Sequence, residues 1–316
     1  MLTAALLGIV IGGPVCPVQS AANISCNLRT LQLDRVCGYN LKASESLKKP
    51  KGAWNSANFG EFPWTAAILG KSGNDEFHIC DGSLIHPQVI LTVASCAKNL
   101  SPGRHYIRVG ATDPKLQQIN EPQDRVIDHI IVNQNFIEKT MENNVALLWF
   151  HNPINISADN ADLVCLPTTN QEFDDKKCQI SILDRNSEDV SDETDDAEET
   201  DNEIHSSKPD AKKFDLSIKK VELEIVGKKK CDLKFAKSTI CAKSPARLHV
   251  CEAKIGSSIV CQHANDPTRW VHAGSVAFKC DDPYEKRADP YINIAKSSLW
   301  IKNQLSELRK KGELRE

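Results

Sequence analysis

Three absences narrow the field before any motif is read. No C-x₂-C pair occurs among the twelve cysteines, which removes the usual zinc ribbons and fingers, and no metal is expected. No apolar run approaches the roughly 20 residues that span a bilayer. Net charge is nearly absent as well: 39 Lys and Arg face 42 Asp and Glu, giving no whole-molecule attraction for nucleic acid. None of the histidines forms an i,i+4 pair, and no cofactor is expected. What remains is an ordinary globular composition, 41% hydrophobic and 26% charged, in a chain of 316 residues that can bury its own core. Twelve cysteines are too many for a typical reduced cytosolic protein; a secreted, disulfide-braced domain is the leading class.

The amino terminus fits that compartment. Met1 to Asn27 carries no charged side chain, and its apolar centre, Ala4 to Ile11, stops at Gly12-Gly13-Pro14. Small residues at Val18, Ser20 and Ala22 offer cleavage after Ser20 or Ala22. Residues 1–22 therefore read as a signal peptide whose removal takes Cys16 with it. Three N-x-[ST] sequons, at Asn23, Asn99 and Asn155, are glycosylation candidates.

Beyond residue 59, short β-rich runs alternate with turns: 65–69, 83–86, 89–93, 106–109, 126–132 and 145–150. That spacing predicts an all-β barrel or sandwich. A helix appears only near the end, where Ile301, Leu305 and Leu308 recur at i, i+4, i+7. One stretch breaks the pattern: Glu188 to Glu203 holds ten Asp or Glu in sixteen residues. Such a segment cannot repay its ordering entropy and is expected to be a solvated loop. Its two readings are a tolerated surface insertion and a docking element for a basic partner. A basic tract follows, with eight lysines between Lys212 and Lys234.

The block Phe59-Gly60-Glu61-Phe62-Pro63-Trp64, then Gly82-Ser83-Leu84-Ile85 and Leu91-Thr92-Val93-Ala94-Ser95-Cys96, resembles the start of a trypsin-like serine protease domain. Preceded by Val36-Cys37-Gly38-Tyr39, it resembles the clip-type serine protease homologues of arthropod haemolymph. Matching blocks follow in order at Asn143 to Leu148, Val164-Cys165-Leu166-Pro167, Cys251 to Cys261, and Tyr291 to Ile301. The resemblance implies two packed six-stranded β-barrels with a C-terminal α-helix, over residues 52–305. Around this domain lie an N-terminal segment at 23–51, an acidic insertion at 185–211 and a charged tail at 306–316. It also implies the disulfides Cys37–Cys165, Cys80–Cys96, Cys178–Cys261, Cys231–Cys241 and Cys251–Cys280. Cys26 is left over, as an interchain link or the remnant of a lost amino-terminal module. With only Cys26 and Cys37, that segment cannot hold a complete three-disulfide clip module.

A serine protease needs a hydroxyl nucleophile, a base to take its proton, and a carboxylate to orient the base. By the resemblance the base belongs at Ser95, and a serine hydroxyl cannot accept a proton near neutral pH. The carboxylate position is Asn144 and the nucleophile position is Ile255. Ala253 replaces the oxyanion-hole glycine, and Lys254 replaces the aspartate that pairs with the amino terminus freed on activation. The floor of the specificity pocket is His249. Activation cleavage in the family precedes an apolar Ile or Val; the equivalent place here, near Lys51, has no such run. The expected protein is a secreted pseudoprotease, a binding or regulatory cofactor in an extracellular protease cascade of innate immunity, of the prophenoloxidase-activating type. Its expected partners are extracellular proteins such as a protease, a zymogen or a prophenoloxidase. The rival readings are a secreted binding protein of reproductive or other tissue, and an S1 endopeptidase by fold-level label alone.

Overall fold

A computed structural model of the chain describes residues 37–39, 56–111, 121–174, 176–185, 216–227, 238–244, 250–279 and 288–315. The expected signal peptide at 1–22, Cys16, Asn23, Cys26, the acidic tract 188–203, Cys231, His249 and Cys280 lie outside the described residues.

Seven antiparallel strands form the first sheet: β1 (Thr65–Ser72), β2 (Asp75–His86), β3 (Val89–Thr92), β4 (Tyr106–Val109), β5 (Gln123–Val126), β6 (His129–Val132) and β7 (Ala146–Trp149). Their order is β5-β4-β1-β2-β3-β7-β6. The two edge strands, β5 and β6, are consecutive in the chain, with only Ile127 and Asp128 between them. The Ile127 N–H donates to the His105 carbonyl at 3.0 Å, and the Asp128 N–H donates to the Trp149 carbonyl at 3.0 Å. One bent run thus joins the two ends of the sheet. Counted as a single strand, it restores the six that the sequence led us to expect. The bend falls inside an apolar run because Ile127 turns inward and is completely buried.

The remaining strands close a six-stranded barrel: β8 (Lys177–Arg185), β9 (Leu216–Val226), β10 (Thr239–Lys243), β11 (Ser258–His263), β12 (Asp266–Ser275) and β13 (Asp289–Asn293), in the order β10-β13-β12-β11-β8-β9. Strand β9 lies within the tract read only as basic. Its period-two pattern, with Val221, Leu223 and Ile225 buried and Glu222 and Glu224 exposed, is that of a half-buried strand. The lysines decorate its start and do not prevent pairing with β8 along nine residues.

Strands β3 and β7 are buried at every residue and pair with each other, as short continuous apolar runs do in a sheet covered on both faces. Trp64, Leu84, Ile90, Leu147, Leu148 and Phe150 fill the core of the first sheet. Across the interface, Leu183 and Leu216 of the second barrel pack on Ala67, Leu69 and Tyr106 of the first. A buried row of hydroxyls also crosses it. Thr65 Oγ1 donates to Ser181 Oγ at 3.1 Å, and Ser181 Oγ lies 3.4 Å from Ser258 Oγ.

Four residues, Ala94–Ala97, make the short helix α1 after β3, and α2 spans Ile294–Lys310. Asn293 caps α2, its side-chain oxygen accepting the Ala295 N–H at 3.0 Å. At the other end the Gly312 N–H reaches the Arg309 carbonyl and the Glu313 N–H the Leu308 carbonyl. This Schellman closure uses Gly312 at φ +72°. The segment expected as a charged tail from 306 is therefore helix to Lys310, followed by a packed strap. Gln88, fully buried, donates its amide toward the carbonyls of Phe150, His151 and Glu313, and its oxygen accepts the Arg315 N–H at 2.6 Å. Trp149 Nε1 also donates to the Glu313 carbonyl, and Leu314 is buried. Lysines and arginines hid this contact in the sequence, because backbone groups and one leucine make it.

Two histidines weaken this fold as pH falls. His272 in β12 is completely buried, and that burial pushes its pKa down to about 4. Burial, with Arg309 nearby, also pushes His86 down to about 4. The unfolded chain takes up these protons from about pH 6.5 and the folded chain only near 4, so the unfolded state binds more protons through that window. Stability therefore falls as pH drops from 6.5 toward 4, with His272 alone contributing about 3 kcal/mol of that loss. Denaturant unfolding across this range should show the slope, and His272→Gln should flatten it; an unchanged slope in the variant would contradict this assignment.

Candidate functional site

The residues expected at the family's catalytic positions come from segments that the strands bring to one edge. In the β3–β7 pair Thr92 stands opposite Ala146. The segment leaving β3 and the segment entering β7 consequently meet, the first carrying Ser95 and the second Asn144. Asn144 is fully buried and Ser95 partly so. The Asn144 Oδ1 accepts the Ser95 N–H at 2.8 Å, and its Nδ2 donates to Ser95 Oγ at 3.2 Å and to Met141 Sδ at 3.4 Å. Two neighbours, Met141 and Asn143, hold φ of +56°, each a strained conformation costing on the order of 1 kcal/mol. Surrounding contacts hold the turn that delivers Asn144; for example, Asn143 Nδ2 donates to the Asn135 carbonyl at 3.0 Å.

Ile255 arrives from the second barrel, on the loop before β11. Its carbonyl accepts the Asp81 N–H at 2.8 Å, and its side chain packs against the core of the first sheet. Asp81 follows Cys80, which is disulfide-bonded to Cys96, and Cys96 follows Ser95. This path ties the Ile255 loop to Ser95 through neighbouring residues. No hydrogen bond joins the Ile255 side to Ser95 or Asn144 among the described residues; at the expected nucleophile position Ile255 presents hydrocarbon.

The backbone at the expected oxyanion position is also committed. The Ala253 N–H donates to the Val250 carbonyl at 3.0 Å, closing a turn over Val250–Ala253. Lys254 is exposed, with no ion partner among the described residues. On the same loop Glu252 meets Lys219 of β9: Lys219 Nζ lies 3.5 Å from Glu252 Oε2 and 2.8 Å from Asp184 Oδ2 of β8. The hydrogen bond to Asp184 raises the pKa of Lys219 above the ordinary lysine value. The β8–β9 hairpin, whose two ends flank the acidic stretch, is in this way pinned beside the loop of Ala253 and Ile255.

Two residues that the sequence did not single out prove central. Asp81 is 1% exposed, and its carboxylate accepts from Ser257 Oγ at 2.6 Å and contacts His78 Nε2 at 2.5 Å. A carboxylate directly after Cys80, at the head of the Gly82-Ser83-Leu84-Ile85 block, was the available signal. His78 backs this carboxylate.

The structure contains the disulfides Cys37–Cys165, Cys80–Cys96 and Cys178–Cys261. Cys241 and Cys251 are disulfide-bonded as well, their expected partners lying outside the described residues. Residues 37–39 dock on the second barrel, with the Trp270 N–H donating to the Gly38 carbonyl at 2.7 Å and Arg269 Nε to the Cys37 carbonyl at 3.0 Å. Asn99 and Asn155 are exposed, and Asn99 Nδ2 reaches toward the Ser95 carbonyl at 3.4 Å. No group of three or more metal-ligating side chains occurs, and no helix is long and apolar enough to cross a membrane, among the described residues.

Comparison with known proteins extends these observations along the chain. The family model described as Trypsin matches residues 54–301. Phenoloxidase-activating factor 2 of Galleria mellonella is 25% identical over 272 residues, covering 79% of this chain and 82% of that protein. CLIP domain-containing serine protease B4 of Anopheles gambiae is 28% identical over 267 residues, covering 78% and 67%. The inactive CLIP domain-containing serine protease A8 of the same mosquito is 25% identical over 270 residues, covering 78% and 65%. Two curled antiparallel sheets, a disulfide beside Ser95 and a family match spanning both sheets lead to one conclusion: the chain belongs to the trypsin family.

Proposed function

We propose that this chain is a secreted serine protease homologue without catalytic activity, which works by binding other proteins in an extracellular protease cascade of the prophenoloxidase-activating kind. One observation carries the reading: Ser95 and Asn144 hydrogen-bond to each other where a base and its orienting carboxylate would be needed. A hydroxyl takes up no proton near neutral pH, and a neutral amide supplies no charge to stabilise one. Ile255 offers no nucleophile beside them. The Ala253 N–H, spent on Val250, withdraws a donor that would otherwise face a developing oxyanion. Relatives whose names declare them inactive, and one named as an activating factor, support a role through binding. The exposed sequons at Asn99 and Asn155 belong to the same proposal, as glycosylation sites of an extracellular protein.

The test uses the full secreted protein, before and after limited trypsin treatment. It is incubated with a fluorophosphonate probe and a mixed peptide library. No labelling and no turnover are expected. In parallel, the protein is added to cell-free body fluid and phenoloxidase activation is followed. The parent and an Ile255→Ala variant should change the response equally. Covalent labelling of the parent, or an effect abolished by Ile255→Ala, would overturn the proposal.

A further inference from the structure

The loop that carries Ile255 is anchored from an unusual direction. By the family resemblance, the carboxylate that fixes this loop stands at position 254 and is held by an amino terminus released on cleavage. Here position 254 is an exposed lysine, which cannot pair with an ammonium group. Yet the loop is held closely. On its own side the Gly256 N–H donates to the Val276 carbonyl at 2.8 Å and the Ser257 carbonyl accepts the Val276 N–H at 3.0 Å. Its contacts across to the other sheet converge on one residue. The Asp81 N–H donates to the Ile255 carbonyl at 2.8 Å. The Asp81 carboxylate accepts from Ser257 Oγ at 2.6 Å. The Asp81 carbonyl lies so near Gly256 that a Cβ there would stand 1.9 Å from it. Three consecutive loop residues are thus fixed by a single aspartate on β2.

Asp81 is itself held rigidly. Its side chain is 1% exposed, with His78 Nε2 at 2.5 Å on the carboxylate oxygen that Ser257 does not use. Thr92 Oγ1 donates to its carbonyl at 2.6 Å. Strand pairing to Ala67 of β1 on the far side keeps the backbone in register. A buried carboxylate without donors would be strongly unfavourable; one with two donors and a fixed backbone is a strong, directional anchor.

We infer that Asp81, backed by His78 and bound to Ser257, is a relocated anchor that sets the 254–257 loop constitutively, so that the loop takes its fixed conformation without proteolytic activation. Asp81 acts as a positioning residue. The inference rests on this geometry and not on the proposed cascade role, so either can fail alone.

The experiment reads hydrogen exchange in the full-length protein over a peptide spanning residues 250–258. A specific protease site replaces residues 48–51, and exchange is measured before and after cleavage. The expected result is slow exchange that cleavage leaves unchanged, with exchange about tenfold or more faster in Ser257→Ala and faster still in Asp81→Asn, as loss of a charge-assisted hydrogen bond requires. Where Asp81→Asn fails to fold, Ser257→Ala carries the comparison. Exchange that slows on cleavage would overturn the inference, because the loop would then await a new amino terminus. Parental protection in Ser257→Ala would overturn it equally, since the anchor would be idle.

Discussion

Gly256→Ala is expected to destabilise the protein by about 4 kcal/mol or more, in the range that marks a named steric fault. Two independent reasons converge on this position. Its φ is +93°, a conformation that side chains with a Cβ rarely adopt. A Cβ built there would lie 1.9 Å from the Asp81 carbonyl oxygen and 2.8 Å from Thr92 Oγ1. The first of these is backbone of a strand paired on both sides, and it cannot step aside cheaply. The substitution must either push the two sheets apart or break the bonds from Asp81 to the loop. Denaturant unfolding with disulfides intact measures the effect, and Gly73→Ala, where nothing lies within 4 Å, is the control for positive φ alone. A loss below about 1 kcal/mol relative to that control would show that the loop is not clamped as described.

Restoring the three catalytic side chains should not restore a protease. Ser95→His, Asn144→Asp and Ile255→Ser together would supply a nucleophile, a base and its orienter. The backbone would remain unsuited. The Ala253 N–H is committed to the Val250 carbonyl, and loss of one oxyanion donor costs on the order of 10²–10³ in rate. A methyl group at 253 and an exposed lysine at 254 leave nothing obvious to reverse that turn. Peptide turnover by the triple variant should therefore stay at least about a hundredfold below that of an active family member measured alongside. Rates approaching that enzyme would mean that the Val250–Ala253 turn opens freely in solution. A quadruple variant that adds Ala253→Gly separates the contributions: any gain over the triple variant assigns the deficit to this turn.

Much of the site was legible in the sequence because the family's blocks are local and ordered. Ser95 was placed by its cysteine neighbour, Asn144 by the apolar run of β7 that follows, and Ile255 by the eleven-residue interval from Cys251 to Cys261. Each position follows from short-range spacing, which a chain reading can count. Strand β9 was missed for a different reason. Its lysines outweighed its alternating Val221, Leu223 and Ile225 in a reading by charge, and burial followed the alternation. The tail was misjudged in the same way: the four charged residues Lys311, Glu313, Arg315 and Glu316 masked the buried Leu314 and a set of backbone contacts.

The sequence by itself determined the family, and it supplied the expectations about positions 95, 144 and 255 and about an oxidising compartment. These depend on residue identity and on spacing along one chain. Only the tertiary structure decided how the altered site is held together. Asp81 and Ser257 are 176 residues apart in sequence, and Gln88 and Glu313 are 225 apart. Neither pair leaves a periodic or compositional trace. The Ala253 N–H and the Ile127 bend are backbone events, invisible to any reading of side chains. Hydrogen bonds of this kind are specified by the packing of two sheets against each other, and that packing is a property of the whole core rather than of any segment within it.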